Sequence, residues 1–378
     1  MLDPVLGFAR APRRELFVAT ALTSVASALL LTLGPAPGDA PAHLYRTFLV
    51  QHGALVWDNL WYAGNYPLVS YSLFYYLPAA LVGNLPLVIA GTVLATVLFA
   101  SIVFRVWGPA ALWPVRLFGV FAAAPLFTGL YSFSLGFATL LGVVRALQGN
   151  RVVLAIVLAA LTLGFSPLAF AFLCLVLLSV LIARRRLTAR SLVLGIALVV
   201  IAGAQTAVLL LFPTLGTYPF HTVNLMPLLG VCICGALLAR RAVGGAVIAT
   251  FFVMWGLGSL IAFSVPTPVG DNWSRLGEFV FPLMLLTAVL ARFRPRPLAA
   301  LALAGAFAYN VAPYLLLIPY RTDTRPQVQE FWAQSVSFLR AHSGFNYRAD
   351  SRPLGGVLGS AQRPRARTWL VPPARRGR

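Results

Sequence analysis

The sequence predicts an all-helical protein built into a membrane, with about eleven helical spans of roughly 20 residues each. Three observations carry that prediction. Sixty per cent of the residues are apolar and only 10% are charged, where soluble domains carry about 25%. Mean hydropathy is +0.85. The apolar residues fall in long runs separated by short arginine-bearing turns, as they do when each run crosses the hydrocarbon layer.

Taken in order, the runs set a topology. Arg10, Arg13 and Arg14 precede Phe17–Leu33, so the N-terminus is expected in the cytoplasm. Phe17–Leu33 is longer than a signal-peptide core and no clean cleavage site follows, so it reads as a retained span. Residues 35–72 then form a first external loop. The next expected spans are Leu87–Phe104, Ala110–Thr128, Phe133–Leu147, Val152–Leu163 and Leu168–Ala183. Ser191–Leu211, Leu225–Ala239, Val243–Phe263, Phe279–Ala291 and Pro297–Ile318 complete the set. Arginines at 184–190, 240–241 and 292–296 mark the cytoplasmic turns and leave the C-terminal region outside. Leu73–Val82 is apolar but short, and Tyr71, Phe74, Tyr75 and Tyr76 suit a membrane interface, so a re-entrant or interfacial piece is expected there. If that piece crosses, the hairpin 152–183 must lose a crossing. The range is therefore about ten to thirteen spans.

The charge balance has a topological cause. The net charge is +20, and all 29 basic residues are Arg. Lysine codons are AT-rich, so their absence points to a GC-rich genome, and hence to a bacterial plasma membrane. No basic patch is interleaved with stacking aromatics, which excludes a nucleic-acid partner. No haem or nucleotide motif is present. Cys174, Cys232 and Cys234 lie inside apolar runs and read as core residues. His43, His52, His221 and His342 show no zinc spacing. No internal repeat is visible, which weighs against a secondary transporter. Arg116, the charge well inside a run, has no acidic partner evident in the sequence.

Chemistry concentrates in the first external loop, which holds two of the nine acids, Asp39 and Asp58. Asp39 precedes Ala40-Pro41, a pattern that suits a helix N-cap with proline in the first turn. Leu44, Phe48, Leu55 and Val56 then recur at helical spacing, with His43, Arg46 and Thr47 on the other side. That pattern predicts an amphipathic helix in the outer interface. Asp39 reads either as a cap or as a carboxylate that accepts a proton or binds a cation. His43, one turn on, reads as a polar-face residue or as its catalytic partner. Asp58, between Trp57 and Trp61, reads as a local hydrogen-bonding group or as a substrate contact. Trp57, Trp61, Tyr62 and Tyr66 suit either sugar stacking or interfacial anchoring.

The order of these features resembles a known family. A first span runs into G-D-x-P-x-H-x-x-R, followed by W-x-x-x-W-Y-x-G-x-Y-P and an aromatic-rich Y-x-L-F-Y-Y-L-P. This resembles the GT-C superfamily of membrane glycosyltransferases, and within it the bacterial membrane proteins grouped as "6-pyruvoyl-tetrahydropterin synthase-related". Nothing here offers the three-histidine zinc site of the soluble enzyme in that name. Residues 264–283, with Arg275, resemble the polar element that such proteins carry before a late span. The resemblance implies a GT-C-like fold and transfer of a sugar from a polyprenyl-phosphate donor to an acceptor on the outer membrane face. It implies Asp39 as base, or as ligand if a divalent cation takes part, with His43 beside it. Arg275 would meet the donor phosphate, while Arg46, Trp57, Asp58, Trp61 and Tyr62 would contact substrate. Many family members carry paired acids in this loop, where here Asp39 is followed by apolar residues and His43. A non-catalytic GT-C-like protein, or a transporter or flippase, are the alternatives.

Residues 1–318 are thus expected to form the membrane domain and 319–348 an external segment, with an amphipathic helix carrying Phe331, Trp332, Val336 and Leu339. Residues 349–378 are rich in Arg and Pro and read as a disordered basic tail. Pro353–Leu358 can be encoded so that a one-base shift reads H-W-E-A-Y-W. Under the same shift Arg367–Gly377 can read A-R-G-W-Y-R-Q-L-D-V-A. Both strings resemble endings of the related membrane family, so a frameshift near Tyr347–Asp350 is expected.

Overall fold

A computed structural model describes residues 11–34, 37–54, 71–212 and 218–321, with Glu330, Ala333, Gln334, Val336 and Ser337 beyond them. Trp57, Asp58, Trp61 and Tyr62, the helix expected around Phe331–Leu339 except for a few of its residues, and the tail 349–378 with its expected frameshift lie outside the described residues. The chain divides into two units, Met1–Phe331 and Trp332–Arg378, and every helix named here belongs to the first.

Among the described residues all regular structure is helical. The helices are α1 (Arg13–Leu33), α2 (Ala40–Gln51), α3 (Tyr76–Val82), α4 (Asn84–Trp107), α5 (Leu112–Phe121), α6 (Ala124–Thr128) and α7 (Tyr131–Gln148). They continue as α8 (Val152–Phe165), α9 (Pro167–Arg184), α10 (Ala189–Leu211), α11 (Thr222–Ala239), α12 (Ala246–Ser264), α13 (Val280–Leu290) and α14 (Arg296–Arg321). A ten-residue 3-10 helix, Gly270–Phe279, leads into α13. Seven helical stretches are long and apolar enough to cross a membrane. That is the signature of a polytopic membrane protein.

Several expected spans change form. Ala110–Thr128 is not one rod: it breaks into a 3-10 turn, α5 and the five-residue α6. Proline explains the break, since Pro109 and Pro125 each open a new helical piece and neither can continue the preceding one. The expected helix over 279–291 begins at Val280, because the chain before it is wound as 3-10. The short piece at 73–82 is the seven-residue α3, whose rise of about 10 Å is far less than a bilayer core.

Lipid is as apolar as leucine, so helices in a membrane associate through close packing and occasional hydrogen bonds. Gly119 of α5 lies so near α1 that a Cβ there would sit 2.5 Å from the Ala19 carbonyl oxygen. Gly136 of α7 meets Ser166 and Ala169, where a Cβ would come within 2.7 and 2.9 Å of their Cβ atoms. Thr23 and Thr96 share a buried 2.8 Å hydrogen bond between α1 and α4. The centre is a chain of aromatic rings: Phe99 stacks on Phe118 at 4.0 Å and Phe137 on Phe279 at 4.5 Å, while Phe172 meets Trp273 at 5.1 Å. At the other extreme α10 buries only Leu194 and turns Val199, Val200 and Leu210 outward, as a lipid-facing helix does.

Arg116 has a partner after all. Its Nε and Nη2 donate to Glu15 at 2.8 and 2.9 Å, closing a two-point ion pair between α5 and the start of α1. The two residues are 101 positions apart, so local inspection of the sequence could not pair them.

Candidate functional site

The site begins with the way α2 is laid down. Its polar side faces the protein: His43, Arg46 and Thr47 are buried, while Leu44, Tyr45 and Phe48 are exposed. The amphipathic pattern is thus present, with the apolar side turned to the surroundings. Leu55 and Val56 lie outside the described residues. Burying the polar side is tolerated because it meets a prepared surface on α3, α4 and α7. Thr47 accepts from the Asn84 amide at 2.9 Å, and Tyr75 donates to Asn84 Oδ1 at 3.1 Å. The Arg46 guanidinium lies over the Tyr76 ring, 4.8 Å from its centre.

His43 sits in a cage of phenols. Its Nδ1 is 3.0 Å from the Tyr76 hydroxyl, and its ring stacks against Tyr131 at 5.2 Å and meets Tyr75 edge-on at 5.6 Å. Burial away from water pulls its pKa down to about 4, against a smaller upward pull from a hydrogen bond to the Gly129 backbone. His43 is therefore a neutral, enclosed ring at ordinary pH.

Asp39 occupies the N-cap position of α2, with Pro41 in the first turn, but its side chain makes no cap hydrogen bond. It reaches instead for Arg275, whose Nη2 donates to Asp39 Oδ2 at 3.4 Å. The pair is open to its surroundings, with side-chain exposures of 51% for Asp39 and 28% for Arg275. Gly129, at φ +85°, makes this approach possible. A Cβ there would come within 2.6 Å of the Asp39 nitrogen, so only glycine leaves room for the start of α2.

Arg275 is presented by the 3-10 helix, and its sequence explains that form. A 3-10 helix stacks residues three apart on one face. In G-D-N-W-S-R-L-G-E-F this gives an apolar stripe of Trp273, Leu276 and Phe279, which joins the aromatic core. Arg275 falls on the stripe shared with Asn272 and Glu278, while Ser274 and Gly277 share the third, where Gly277 leaves space for the Tyr309 ring. Glu278 is buried and acts electrostatically on Tyr309 and Tyr314.

The first turn of this element carries a second polar group. Asp271 Oδ2 accepts from Asn224 at 2.7 Å and lies 3.4 Å from His221 Nδ1. Neither Asp271 nor Glu278 was singled out by the sequence, because a lone acid beside a late span carries no pattern until the 3-10 period is known. Of the expected residues, the structure therefore brings together Asp39, His43, Arg46 and Arg275. Trp57, Asp58, Trp61 and Tyr62 lie outside the described residues.

The metal expectation fares differently. Among the described residues no three His, Cys, Asp or Glu side chains converge. Asp39 already faces a guanidinium, which repels a cation, so this donor set does not fit a divalent metal.

Fold and site together define a polytopic helical membrane protein with a weakly held acid–arginine pair at the surface of its helical body. No protein-family model, curated protein or solved structure matches the chain.

Proposed function

We propose that the chain is an integral membrane glycosyltransferase-like protein of GT-C type. It transfers a sugar from a polyprenyl-phosphate donor to an acceptor on the outer face of a bacterial plasma membrane. The observation that carries this reading is the Asp39–Arg275 pair, drawn from two segments far apart in the chain and set 3.4 Å apart at one surface. An exposed ion pair of this kind is worth only about 0–1 kcal/mol, so a substrate phosphate can open it at little cost. Arg275 then holds the phosphate through charged hydrogen bonds. Asp39, released, accepts the proton of the acceptor hydroxyl while that oxygen attacks the anomeric carbon. The bond from that carbon to the phosphate breaks, and polyprenyl phosphate leaves with the electron pair. His43, enclosed and neutral, positions the start of α2 and does not take the proton. About eleven crossings, with the N-terminus in the cytoplasm, would put this surface outside.

A transporter is the weaker reading, because Arg116, the charge set within a run, is neutralised by Glu15. A non-catalytic relative draws support from the way Asp39 and Arg275 satisfy each other. Transfer assays separate these readings. Membranes holding the chain are given a radiolabelled polyprenyl-phosphate sugar, and incorporation into acceptor is followed. Asp39→Asn should lower turnover about 10²–10⁴-fold, the usual contribution of a general base. Arg275→Gln should mainly raise KM for the donor. Unchanged transfer by Asp39→Asn refutes the assignment of the base. Donor binding without any transfer by the unaltered chain establishes the non-catalytic reading.

A further inference from the structure

An elongated cavity of about 250 Å³ lies among α4, α7, α9, α12 and α13, reaches Leu276 and Phe279 of the 3-10 helix at one end, and has an overwhelmingly apolar wall. Along α7 it is lined from Phe137 to Gln148, and along α9 from Phe172 to Arg184. At 1.5 Å per residue these stretches correspond to roughly 16–18 Å. One leaflet of a bilayer core is roughly 15 Å deep. The cavity therefore has the depth of a single leaflet and runs parallel to its chains.

Its two ends differ. The inner end is closed by rings such as Phe137, Phe172 and Trp255. The other end is polar and opens where α4, α7 and α9 finish. Gln148 is buried there; its amide donates to the Ile102 carbonyl at 3.3 Å, and its Oε1 has no hydrogen-bond partner among the described residues. The Trp107 indole N–H is likewise enclosed without a partner. Arg184 completes this end. Arg105 and Arg151 stand close enough to Arg145 to repel it. Among the described residues the acid near this end is Glu15, which is already tied to Arg116. Among the described residues, the mouth of an apolar slot is thus left with uncompensated positive charge, one buried acceptor and one buried donor.

We infer that this slot binds one acyl chain of an anionic phospholipid drawn from the leaflet at the arginine-rich face, with the headgroup phosphate on Arg184. A glycerol-type headgroup suits the mouth, since its hydroxyl donates to Gln148 Oε1 and an ester or phosphate oxygen accepts from Trp107. The site does not depend on sugar transfer: its mouth lies at the opposite end of α7 from Asp39, and only its inner end reaches the 3-10 helix, at Leu276 and Phe279.

The test uses the full chain in vesicles that contain phosphatidylglycerol carrying a photoreactive diazirine on its acyl chain. After irradiation, labelled peptides are mapped by mass spectrometry. A diazirine at the chain terminus should mark Phe137, Phe172 or Trp255, and one placed near the ester should mark Val144 or Val180 instead. Label confined to outward-facing positions such as Val153, Val199 and Leu210 overturns the proposal. Phosphatidylglycerol should outlabel phosphatidylcholine about fivefold, and Arg184→Gln should bring the two close together. Equal labelling by both lipids in the unaltered chain overturns the anionic assignment. Displacement of the label by a polyprenyl phosphate, without any effect of the phospholipid headgroup, overturns it in favour of the donor chain.

Discussion

Within the site, single side chains fix what each group can do. His43 and Asp39 stand one helical turn apart, yet they fare differently because one is enclosed and the other is not. The sequence made both visible, since ionisable residues are scarce in this chain, but it could not assign their exposure. Neighbours supplied from other helices decide that, namely Tyr75, Tyr76, Tyr131 and the Gly129 backbone around His43. The enclosed imidazole has a consequence for stability. Folded, His43 stays neutral down to about pH 4, whereas in the unfolded chain it takes a proton near pH 6.5. Its contribution is complete above the unfolded value and is lost as pH falls through that window. The loss is at most about 1.4 kcal/mol per pH unit. Thermal unfolding in detergent, followed from pH 7.5 down to pH 5 for the wild type and for His43→Asn, isolates this share. The wild-type midpoint should fall more steeply, and parallel curves would show that His43 is not held neutral by the fold.

Elements were legible to the degree that solvent dictates them. Apolar runs had to be helices, because a backbone in lipid must satisfy its own hydrogen bonds. The amphipathic repeat of α2 was equally plain. Its direction was not, since periodicity separates two faces without saying which one meets protein. The 3-10 helix was hidden for another reason. A stripe with a period of three is short and is easily read as a polar loop before a span, until the packing of Trp273, Leu276 and Phe279 shows it. That packing makes the element testable. Leu276→Ala removes a buried side chain from the stripe and should cost about 2–5 kcal/mol. Asn272→Ala, on the stripe of Arg275, should change stability by less than about 0.5 kcal/mol. Chemical unfolding in mixed micelles measures both, and equal losses would mean that the three-residue period does not organise this segment.

At the level of the whole molecule, arginine placement and helix order imply two opposite faces. His52, after α2, and Arg241, after α11, should lie on different sides of the membrane. The native cysteines sit in α9 and α11, so added ones can be told apart from them. A membrane-impermeant maleimide should label His52→Cys in intact cells and Arg241→Cys only after lysis. Labelling of both in intact cells would defeat the topology. The inward polarity of α2 also carries a consequence in time. Its partners Asn84 and Gly129 are made after it, and Arg275 emerges 236 residues later than Asp39. At elongation speeds of about 5–20 residues per second that interval is roughly tens of seconds. The surface that receives Arg46 and His43, formed by Tyr75, Tyr76, Gly129 and Tyr131, follows α2 in the chain and precedes Arg275. Until that surface is made, α2 must wait at the edge of the lipid, charged side to water and Leu44 and Phe48 among the headgroups, and Asp39 alone waits on for the 3-10 helix. The acid–arginine pair is accordingly the last of these contacts that the start of α2 can make.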